Sequence, residues 1–429
     1  MLKGFSKLPR TQRIKSLETF LGKNLACSLD RYLSAHIDDQ TIFSGLSENY
    51  LTNFVLPFGV VPNVLVNGKM YAVPVVIEES SVVAAASKAA GFWANHGGFH
   101  ARWTGTIKAG HIHFLWRQDP MLLKNNFSKI KQQFHNDTSA LLERMKQRGG
   151  GIVDIQLADK TKHIDGYFQI AVSFETADAM GANFINSCLE QMTESLKQFA
   201  AENFPVDSLE VIMSILSNYT PECAVTCSVS CEISALAAYS SVYSPAEFAQ
   251  RFALAVQMAK VDISRAVTHN KGIYNGIDGV VLATGNDWRA VEAAGHAFAS
   301  QHGEYASLSD VTIEDGRFSL SVSVPLALGT VGGLTGIHPL ARLALEILGN
   351  PTAKELMAIA ASVGLANNFA AVSSLVTTGI QKGHMKLHLG NILSRLNATD
   401  EQKAEALLFF NDKTVTYRAV ENFLSQKGQ

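Results

Sequence analysis

The sequence predicts an α+β protein made of a large mixed α/β domain, an inserted ferredoxin-like domain and a helical C-terminal flap. Three observations support this prediction. Segment 106–217 reads as strand, helix, strand, strand, helix, strand, which is the βαββαβ order of a ferredoxin-like sandwich. Helical and strand-like segments flank it at 1–105 and 218–378, so the large domain is discontinuous in sequence. After a glycine-containing break, segment 379–429 has helical patterns.

The first part of the large domain ends at a strand-to-helix junction. Up to about Ala35, apolar residues recur three and four positions apart, as in amphipathic helices. A short apolar strand is predicted over 71–77. We expect Ser80 or Ser81 to cap the helix that follows, and Gly97 with Gly98 to end it.

The inserted domain is predicted from a change of periodicity. The alternating stretch T-G-T-I-K-A-G-H-I-H-F-L-W indicates a strand, and one long helix is expected after it over about 120–148. Three consecutive glycines end that helix. Two strands, a second helix and a last strand follow, over about 152–157, 167–174, 180–203 and 209–216.

The second part of the large domain mixes strands with helices. Strands that carry three cysteines precede a helix over about 245–260. A turn at 314–317 separates two β-rich runs and predicts a hairpin. A glycine-rich loop leads into a helix at His338, and the patterns are helical from Thr352 onward.

A central block, 265–293, has two polar clusters around the short apolar run 280–283. Glycines relax the backbone on both sides, so the block predicts a buried strand between two loops. Such loops commonly direct side chains into a cleft. Lys271 and Asp287 are therefore expected to face one pocket as a cation and its carboxylate partner. An exposed salt bridge between two loops explains the spacing equally well.

Composition and charge narrow the class of protein. The 429 residues are 47% hydrophobic and 17% charged, which fits a compact globular enzyme. A formal charge of −2 favours neither nucleic acid nor an anionic membrane as a partner. We find no apolar run near the roughly 18 residues of a membrane span, and the basic start lacks the apolar core of a secretory signal. Five cysteines favour reduced thiols and a cytoplasmic location.

Two adjacent acids, Glu78 and Glu79, stand just before a predicted helix. The helix dipole favours ionised carboxylates there, so a purely structural role in anchoring the helix start is one explanation. A carboxylate at a strand-to-helix junction is also well placed to face a ligand. The sequence leaves both explanations open and does not separate the two acids.

Two groups of residues have the spacing of metal ligands. His384 and His388 lie four apart on one face of a predicted helix, but no third ligand accompanies them, so core or surface histidines are favoured over a metal site. Cys223, Cys227 and Cys231 are evenly spaced in strand-like sequence without a Cys-x-x-Cys pair. Buried thiols are favoured over a metal site there as well.

The D-A-M-G-A-N segment, 178–183, opens the second helix of the inserted domain. Backbone N–H groups at a helix start can hold the phosphates of a cofactor. Close helix packing explains the single glycine as well. No G-x-G-x-x-G motif follows a strand, so a Rossmann dinucleotide fold has no support.

Several longer motifs, in the same order along the chain, carry a resemblance to a known family. They are E-E-S-S-V-V-A-A-A-S, D-A-M-G-A-N, T-H-N-K-G-I, N-G-I-D, A-T-G-N-D-W-R-A-V-E-A and G-H-M-K-L-H. Over about 47–391 the chain closely resembles the bacterial class II hydroxymethylglutaryl-CoA (HMG-CoA) reductases. The resemblance implies that the ferredoxin-like domain binds NAD(P) and the large domain binds HMG-CoA.

The resemblance also implies a reaction, in which two hydride transfers convert HMG-CoA to mevalonate and CoA through mevaldehyde. Lys271 would stabilise the carbonyl oxygen, Asp287 would orient Lys271, and Glu79 would donate a proton in the second reduction. His384 would protonate the departing CoA thiolate. The implied substrate contacts are Ser81, Arg265, Thr268, Asn275 and His388, with Asn218 beside the lysine. The implied coenzyme contacts are Asp178, Met180, Gly181, Ala182 and Asn183.

The coenzyme is expected to be NADPH or NADH, without a metal. NAD-selective members of the family carry an acid just before the glycine run, and our alignment places Leu142 there. Arg144, Lys146 and Arg148 stand close behind it, which favours the 2′-phosphate of NADPH. These bases can equally form a solvated helix face, and a one-residue shift would make Glu143 the acid that binds the ribose. The family also implies a homodimer with shared active sites.

Three departures from the family pattern bear on substrate affinity. Ser80 stands where proline is usual, Ser264 replaces a common tyrosine, and S-E-N-Y-L-T-N replaces E-N-V-I-G with Glu48 and Asn49 kept. None of these changes removes a proposed catalytic group. Two other functions remain open: a non-catalytic protein that binds CoA thioesters, and a reductase of another acyl-CoA.

Overall fold

The structure is a computed structural model that describes residues 2–377, 379, 389–410, 413 and 415–426. The described residues form helices and antiparallel sheets, so the predicted mixture of α and β structure is present. His384 and His388 lie outside the described residues, and what the sequence indicates for them stays a prediction.

The first sheet is an antiparallel hairpin of β1 (Phe58–Val66) and β2 (Lys69–Val76), and α4 (Ser80–Ala94) packs on it. Asn67 and Gly68 turn the hairpin with φ values of 48° and 84°, the positive values that a two-residue type I′ turn requires. Glu79 is the N-cap residue of α4, and neither serine caps it, because both already lie in its first turn. In the described residues, a short 3-10 helix (Phe5–Lys7) and three α-helices precede this hairpin: α1 (Arg10–Leu21), α2 (Ala26–Asp30) and α3 (Ile37–Gly45).

The βαββαβ order is present between residues 107 and 216. Its sheet has the antiparallel order β5-β6-β4-β7, and the apolar faces of two long helices pack on one face of this sheet. The single helix expected over 120–148 is two helices, since Thr138 ends the first and turns its hydroxyl back to the Phe134 carbonyl. The elements are β4 (Ile107–Trp116), α5 (Pro120–Asp137), α6 (Ser139–Lys146), β5 (Gly151–Asp159), β6 (Tyr167–Glu175), α7 (Ala182–Asn203) and β7 (Leu209–Leu216).

A second four-stranded antiparallel sheet has the order β3-β8-β10-β9. Cys227 and Cys231 lie on its inward face, and Cys223 is buried just before it. Burial raises the pKa of the Cys227 thiol to about 12, and those of Cys223 and Cys231 to about 11. The interpretation of these cysteines as buried thiols is therefore confirmed. The strands are β3 (His100–Trp103), β8 (Ala224–Glu232), β9 (Ser309–Glu314) and β10 (Arg317–Pro325).

The remaining described residues are mainly helical. In the larger body the helices are α8 (Pro245–Val261), α9 (Ile263–Ala283), α10 (Trp288–Ala299), α11 (Gly333–Ile337), α12 (Pro339–Ile347) and α13 (Ala353–Val376). Beyond them, residues 389–395 (α14), α15 (Asp400–Phe409) and α16 (Tyr417–Gln426) share a small apolar core of their own. The division of the chain into domains, including a C-terminal flap over 379–429, stays a prediction.

Helix α13 forms the centre of the larger body. One 18-residue window of it has a mean hydropathy of 1.5, enough by length and composition to cross a membrane, and 94% of that window is buried inside the protein. The expectation that no apolar run approaches this length is therefore wrong. The helix is apolar on all sides because other elements surround it, as in the core of a large protein. These elements are α4, α8, α9 and the β3-β8-β10-β9 sheet.

The central block is a helix, and the predicted loop–strand–loop arrangement is wrong. The run 280–283 is the last turn of α9, and the polar cluster 268–271 lies in its first half. Gly276 explains why a glycine-rich sequence stays helical here: a Cβ atom at this position would lie 2.5 Å from the Val363 carbonyl oxygen on α13. The glycine allows two helices to approach closely and does not mark a loop.

We predict that Gly276→Ala destabilises the protein and Gly272→Ala does not. The added methyl group at residue 276 must push α9 away from α13, which costs roughly 1–3 kcal/mol. At residue 272 a Cβ would meet no atom within 4 Å, so alanine there adds only helix propensity, up to about 1 kcal/mol. Thermal unfolding midpoints measured at one scan rate test the pair. Equal midpoints for the two variants would contradict the close approach.

Candidate active site

Helix α9 presents four of the predicted site residues on one face. Arg265, Thr268, Lys271 and Asn275 are spaced by three, three and four positions, so they form a stripe along the helix. Thr268 and Lys271 are exposed, and the other two are half-buried. The opposite face is buried through Ala266, Ile273, Ile277, Val280 and Val281. The same periodicity that buries one face of α9 assembles the polar stripe on the other.

The stripe carries two cations. Burial lowers the pKa of Arg265, with Asp262 opposing the shift, but a guanidinium stays charged in a protein. Lys271 makes no ion pair within 4 Å among the residues that the structure describes. Its ammonium is therefore available to an anionic or polarised group that reaches this face.

Asp287 does not pair with Lys271 in this structure. It is the N-cap residue of α10, where its Oδ1 accepts hydrogen bonds from the N–H groups of Arg289 (3.1 Å) and Ala290 (3.2 Å). The same oxygen pairs with the Arg289 guanidinium at 3.3 Å. The shared pocket contact and the salt bridge between loops both require an ion pair between Lys271 and Asp287. This structure does not contain that ion pair. The N–H groups and positive dipole of a helix start satisfy the carboxylate instead.

The structure separates the two neighbouring acids. Glu79 is half-buried and accepts a hydrogen bond from the Ser81 hydroxyl, whereas Glu78 is exposed. The strand that leads to them lies against α9, since a Cβ at Gly279 would be 3.3 Å from the Cβ of Val75. The start of α4 is in this way attached to the helix that carries Lys271.

The D-A-M-G-A-N segment forms the start of α7, as the sequence indicates. Gly181 is the N-cap residue with φ 88°, and a Cβ there would lie 2.6 Å from Thr176 Cγ2, so the position requires glycine. Ala182 and Asn183 are the first residues of a 22-residue helix. Their backbone N–H groups and the helix dipole fit the phosphates of a dinucleotide.

Asp178 has a structural role in this segment. Its Oδ1 accepts a hydrogen bond of 2.7 Å from the N–H of Ala353 at the start of α13. Its carbonyl oxygen accepts one of 2.8 Å from Thr330. The carboxylate predicted to contact a cofactor thus ties the segment to the larger body.

A small cleft lies where these parts meet. Met180 and Ala182 of the D-A-M-G-A-N segment line it together with Asn218, Lys108 and Ala290. Ala290 lies in the first turn of α10, whose N-cap is Asp287. The cleft therefore lies between the start of α7 and the start of α10.

Asn286 connects two parts of the candidate site, although no sequence pattern indicated this role. Its side chain accepts a hydrogen bond from the Gly329 N–H (2.8 Å) and donates one to the Gly329 carbonyl (3.0 Å). A Cβ at Gly329 would clash with the Met180 nitrogen. The turn before Asp287 is thus held against the D-A-M-G-A-N segment. The partners are 43 residues apart, so local sequence carried no signal for this contact.

Two carboxyl groups lie between α9 and α10. Asp278, seven residues after Lys271, lies beside Glu292, and its buried Oδ1 has no hydrogen-bond partner among the described residues. Burial, followed by repulsion from Glu292, raises the pKa of Asp278 to about 8. This shift favours the protonated form of Asp278 at the contact between the helix that carries Lys271 and the helix that Asp287 caps.

Leu142 does not lie where it could take the place of the acid that binds the ribose in NAD-selective relatives. Its side chain is 2% exposed and belongs to the apolar core under the β5-β6-β4-β7 sheet, so it does not face a ribose site at the surface. Glu143, Arg144, Lys146 and Arg148 are exposed at the end of α6 and beyond it. Within the described part of the chain, no group of three or more His, Cys, Asp or Glu side chains is placed to hold a metal.

Comparison with known proteins gives one consistent family. The profile of hydroxymethylglutaryl-coenzyme A reductase matches residues 10–389. The 3-hydroxy-3-methylglutaryl-coenzyme A reductase of Archaeoglobus fulgidus is 33% identical over 93% of this chain and 88% of its own length. A probable reductase of the same name from Borreliella burgdorferi is 33% identical over 94% and 89%.

A solved structure agrees with these sequence relatives. The class II 3-hydroxy-3-methylglutaryl-CoA reductase of Streptococcus pneumoniae, bound to NADPH in open conformations, superimposes with a TM-score of 0.73 at 34% identity. The match covers 98% of this chain and all of that one. Since the family profile covers most of the chain and the relatives align over nearly their whole length, the chain belongs to the class II HMG-CoA reductases.

Proposed function

We propose that the protein is an HMG-CoA reductase, which uses NADPH to convert HMG-CoA to mevalonate and CoA through mevaldehyde. The observation that carries this proposal is the polar stripe of α9. Arg265, Thr268, Lys271 and Asn275 match the family's substrate and catalytic positions, and they share one accessible helix face. The coenzyme supplies a hydride in each of the two reductions.

Lys271 stabilises the charge that develops in the first reduction. Hydride addition to the thioester carbon places negative charge on the carbonyl oxygen, and a preorganised cation next to that oxygen lowers the barrier. Asp287 orients this cation. All its described hydrogen bonds go to Oδ1, so in the described residues Oδ2 stays available to the lysine when the site closes on its ligands.

Two residues handle the protons. His384 protonates the CoA thiolate as it leaves, since the imidazole pKa lies near operating pH. Glu79 donates a proton to the aldehyde oxygen in the second reduction, and Ser81 orients its carboxyl group through their hydrogen bond. For this task Glu79 must be protonated when the aldehyde is bound.

Substrate recognition is assigned to charge and hydrogen bonding along α9. Arg265 pairs with the carboxylate of the HMG group, because a guanidinium binds a carboxylate through two parallel hydrogen bonds. Thr268, Asn275, Ser81 and His388 complete the substrate contacts. The changes at Ser80 and Ser264 lie beside these residues and are expected to alter affinity without removing a reacting group.

The coenzyme binds at the start of α7, and the segments 178–183 and 106–217 supply its site. The first N–H groups of α7 hold the phosphates, and Gly181 lets the backbone approach them. The S. pneumoniae relative binds NADPH. The exposed bases behind the buried Leu142 suit a 2′-phosphate. In this division, 1–105 with 218–378 binds HMG-CoA, and 379–429 is the flap that carries His384.

A homodimer in the cytoplasm is the proposed working form. Apolar side chains lie exposed around the start of α9, where Val261 is 84% exposed and Ile263 and Val267 are exposed beside Arg265 and Thr268. Phe54 is 90% exposed elsewhere on the surface. Exposed apolar clusters of this kind mark protein interfaces. A second copy placed here would border the substrate-binding stripe, as shared active sites require.

Lys271→Ala is expected to abolish HMG-CoA-dependent oxidation of NADPH while the protein stays folded. Loss of a preorganised charge costs roughly a hundredfold or more in rate. Lys260→Ala is the matched control, since that lysine makes only an exposed ion pair with Asp310 on the surface. Near-normal turnover in Lys271→Ala would contradict the assignment. Activity with acetyl-CoA in place of HMG-CoA would show a different acyl-CoA substrate.

The same assay separates His384 from Lys271. His384→Gln is expected to reduce added mevaldehyde much better than HMG-CoA, because only the thioester reaction expels a thiolate. Equal losses with both substrates would assign His384 another role.

Coenzyme choice is expected to depend on the basic residues at the end of α6 and just after it, Arg144, Lys146 and Arg148. We expect a larger kcat/KM with NADPH than with NADH, and Arg144→Glu should lower the NADPH value at least tenfold because its carboxylate repels a 2′-phosphate. Glu143→Gln is the control and should leave NADPH use unchanged. A tenfold preference of the unmodified protein for NADH would show that Glu143 contacts the ribose instead.

The dimer is tested by light scattering on the active protein. We expect a mass of at least two chains, with the apolar cluster at Val261, Ile263 and Val267 buried between them. A fully active species with the mass of one chain would rule out shared active sites.

A further inference from the structure

Lys108 is a buried lysine that the proposed mechanism does not use. It lies on the covered face of β4 and is 4% exposed. Its ammonium donates hydrogen bonds to the Thr106 carbonyl (3.2 Å), the Thr176 hydroxyl (2.6 Å) and the Ala179 carbonyl (3.3 Å). The three N–H donors of the lysine are thus matched by three uncharged acceptors.

Glu175 approaches the same turn from its other side. Its carboxylate accepts hydrogen bonds from the Thr106 hydroxyl (2.5 Å) and the Ala177 N–H (2.8 Å). Burial lowers the pKa of Lys108, while Cys223 and Glu175 oppose that shift. In the described residues, Lys108 has no carboxylate at ion-pair distance. Burying a charged group without a charged partner is costly, so the Lys108 ammonium depends on its hydrogen bonds to the turn. Removing Lys108 would leave the acceptors in the turn without this donor.

The turn held by these groups, 176–179, sets the direction of the D-A-M-G-A-N segment. Ala177 has φ 48°, an uncommon value for alanine, and the Thr176 hydroxyl donates to the Ala179 carbonyl at 2.7 Å. Gly181 follows two residues later and packs on Thr176. A shift of this turn therefore moves the N–H groups at the start of α7, although Lys108 is about 70 residues away in sequence.

We propose that Lys108 is a positioning residue for the coenzyme: its ammonium holds the 176–179 turn so that the start of α7 meets the dinucleotide phosphates. The proposal rests on the proposed coenzyme site. Lys108 also lines the cleft between Met180 and Asn218, so the side chain lies at the junction where coenzyme and substrate are expected to meet.

Lys108→Met tests the proposal, because methionine keeps much of the length and removes the charge and the donors. Binding of NADPH, followed by its fluorescence without HMG-CoA, is expected to weaken at least tenfold. The Kd for HMG-CoA should stay within twofold. In turnover, KM for NADPH should rise while kcat at saturating coenzyme changes little, since no reacting group is lost.

Lys131→Met is the matched control, as it removes a half-buried lysine of the same domain that pairs with Asp154; it should leave NADPH binding unchanged. Thr176→Val is a second probe that keeps the side-chain shape and removes the hydroxyl shared by Lys108 and Ala179. It should weaken NADPH binding in the same direction. This variant decides the question if Lys108→Met does not fold.

Unchanged NADPH affinity in a folded Lys108→Met or Thr176→Val protein would overturn the role of Lys108. Equal weakening for NADPH and HMG-CoA would also overturn it, by indicating general destabilisation. If the unmodified protein binds neither NADPH nor NADH, the coenzyme site itself is wrong, and with it this role for Lys108. The two failures are therefore distinguished by the unmodified protein alone.

Discussion

The close contact of α9 with α13 is the constraint on which the rest of the structure depends. Gly276 allows it from one side, and Gly364 allows it from the other, because a Cβ at Gly364 would lie 2.7 Å from Ile277 Cγ1. Helix α13 is buried along its length, so it has no freedom to retreat. The polar stripe of α9 therefore faces outward at a fixed rotation, and Lys271 is held on that face without an ion pair among the described residues.

From this helix pair the site is assembled by contacts between distant segments. Asn286 joins the turn before α10 to Gly329, and Gly329 packs on Met180 at the start of the coenzyme segment. Asp178 joins that segment to the start of α13. The candidate coenzyme and substrate elements are thus connected by hydrogen bonds and packing contacts between segments that are distant in sequence.

Two ionisable groups that are removed from solvent, Lys108 and Asp278, have no assigned part in the chemistry. Burial and the neighbouring Glu292 raise the pKa of Asp278 between α9 and α10, and the Lys108 ammonium donates hydrogen bonds to the turn before α7. A group taken out of water keeps its position only while its partners are present, so each of them specifies one local arrangement. Lys271 remains exposed and available for ligand.

The sequence by itself determined the βαββαβ unit, a helix that starts near the segment 178–183 and the family to which the chain belongs, because periodicity and long motifs are local properties. It misassigned α9, since glycines that serve close helix packing look the same in sequence as glycines that loosen a loop. The tertiary structure alone decided which acid of the Glu78–Glu79 pair turns inward and that Leu142 is buried. It also decided that Asp287 caps α10, because each of these depends on partners brought together by folding.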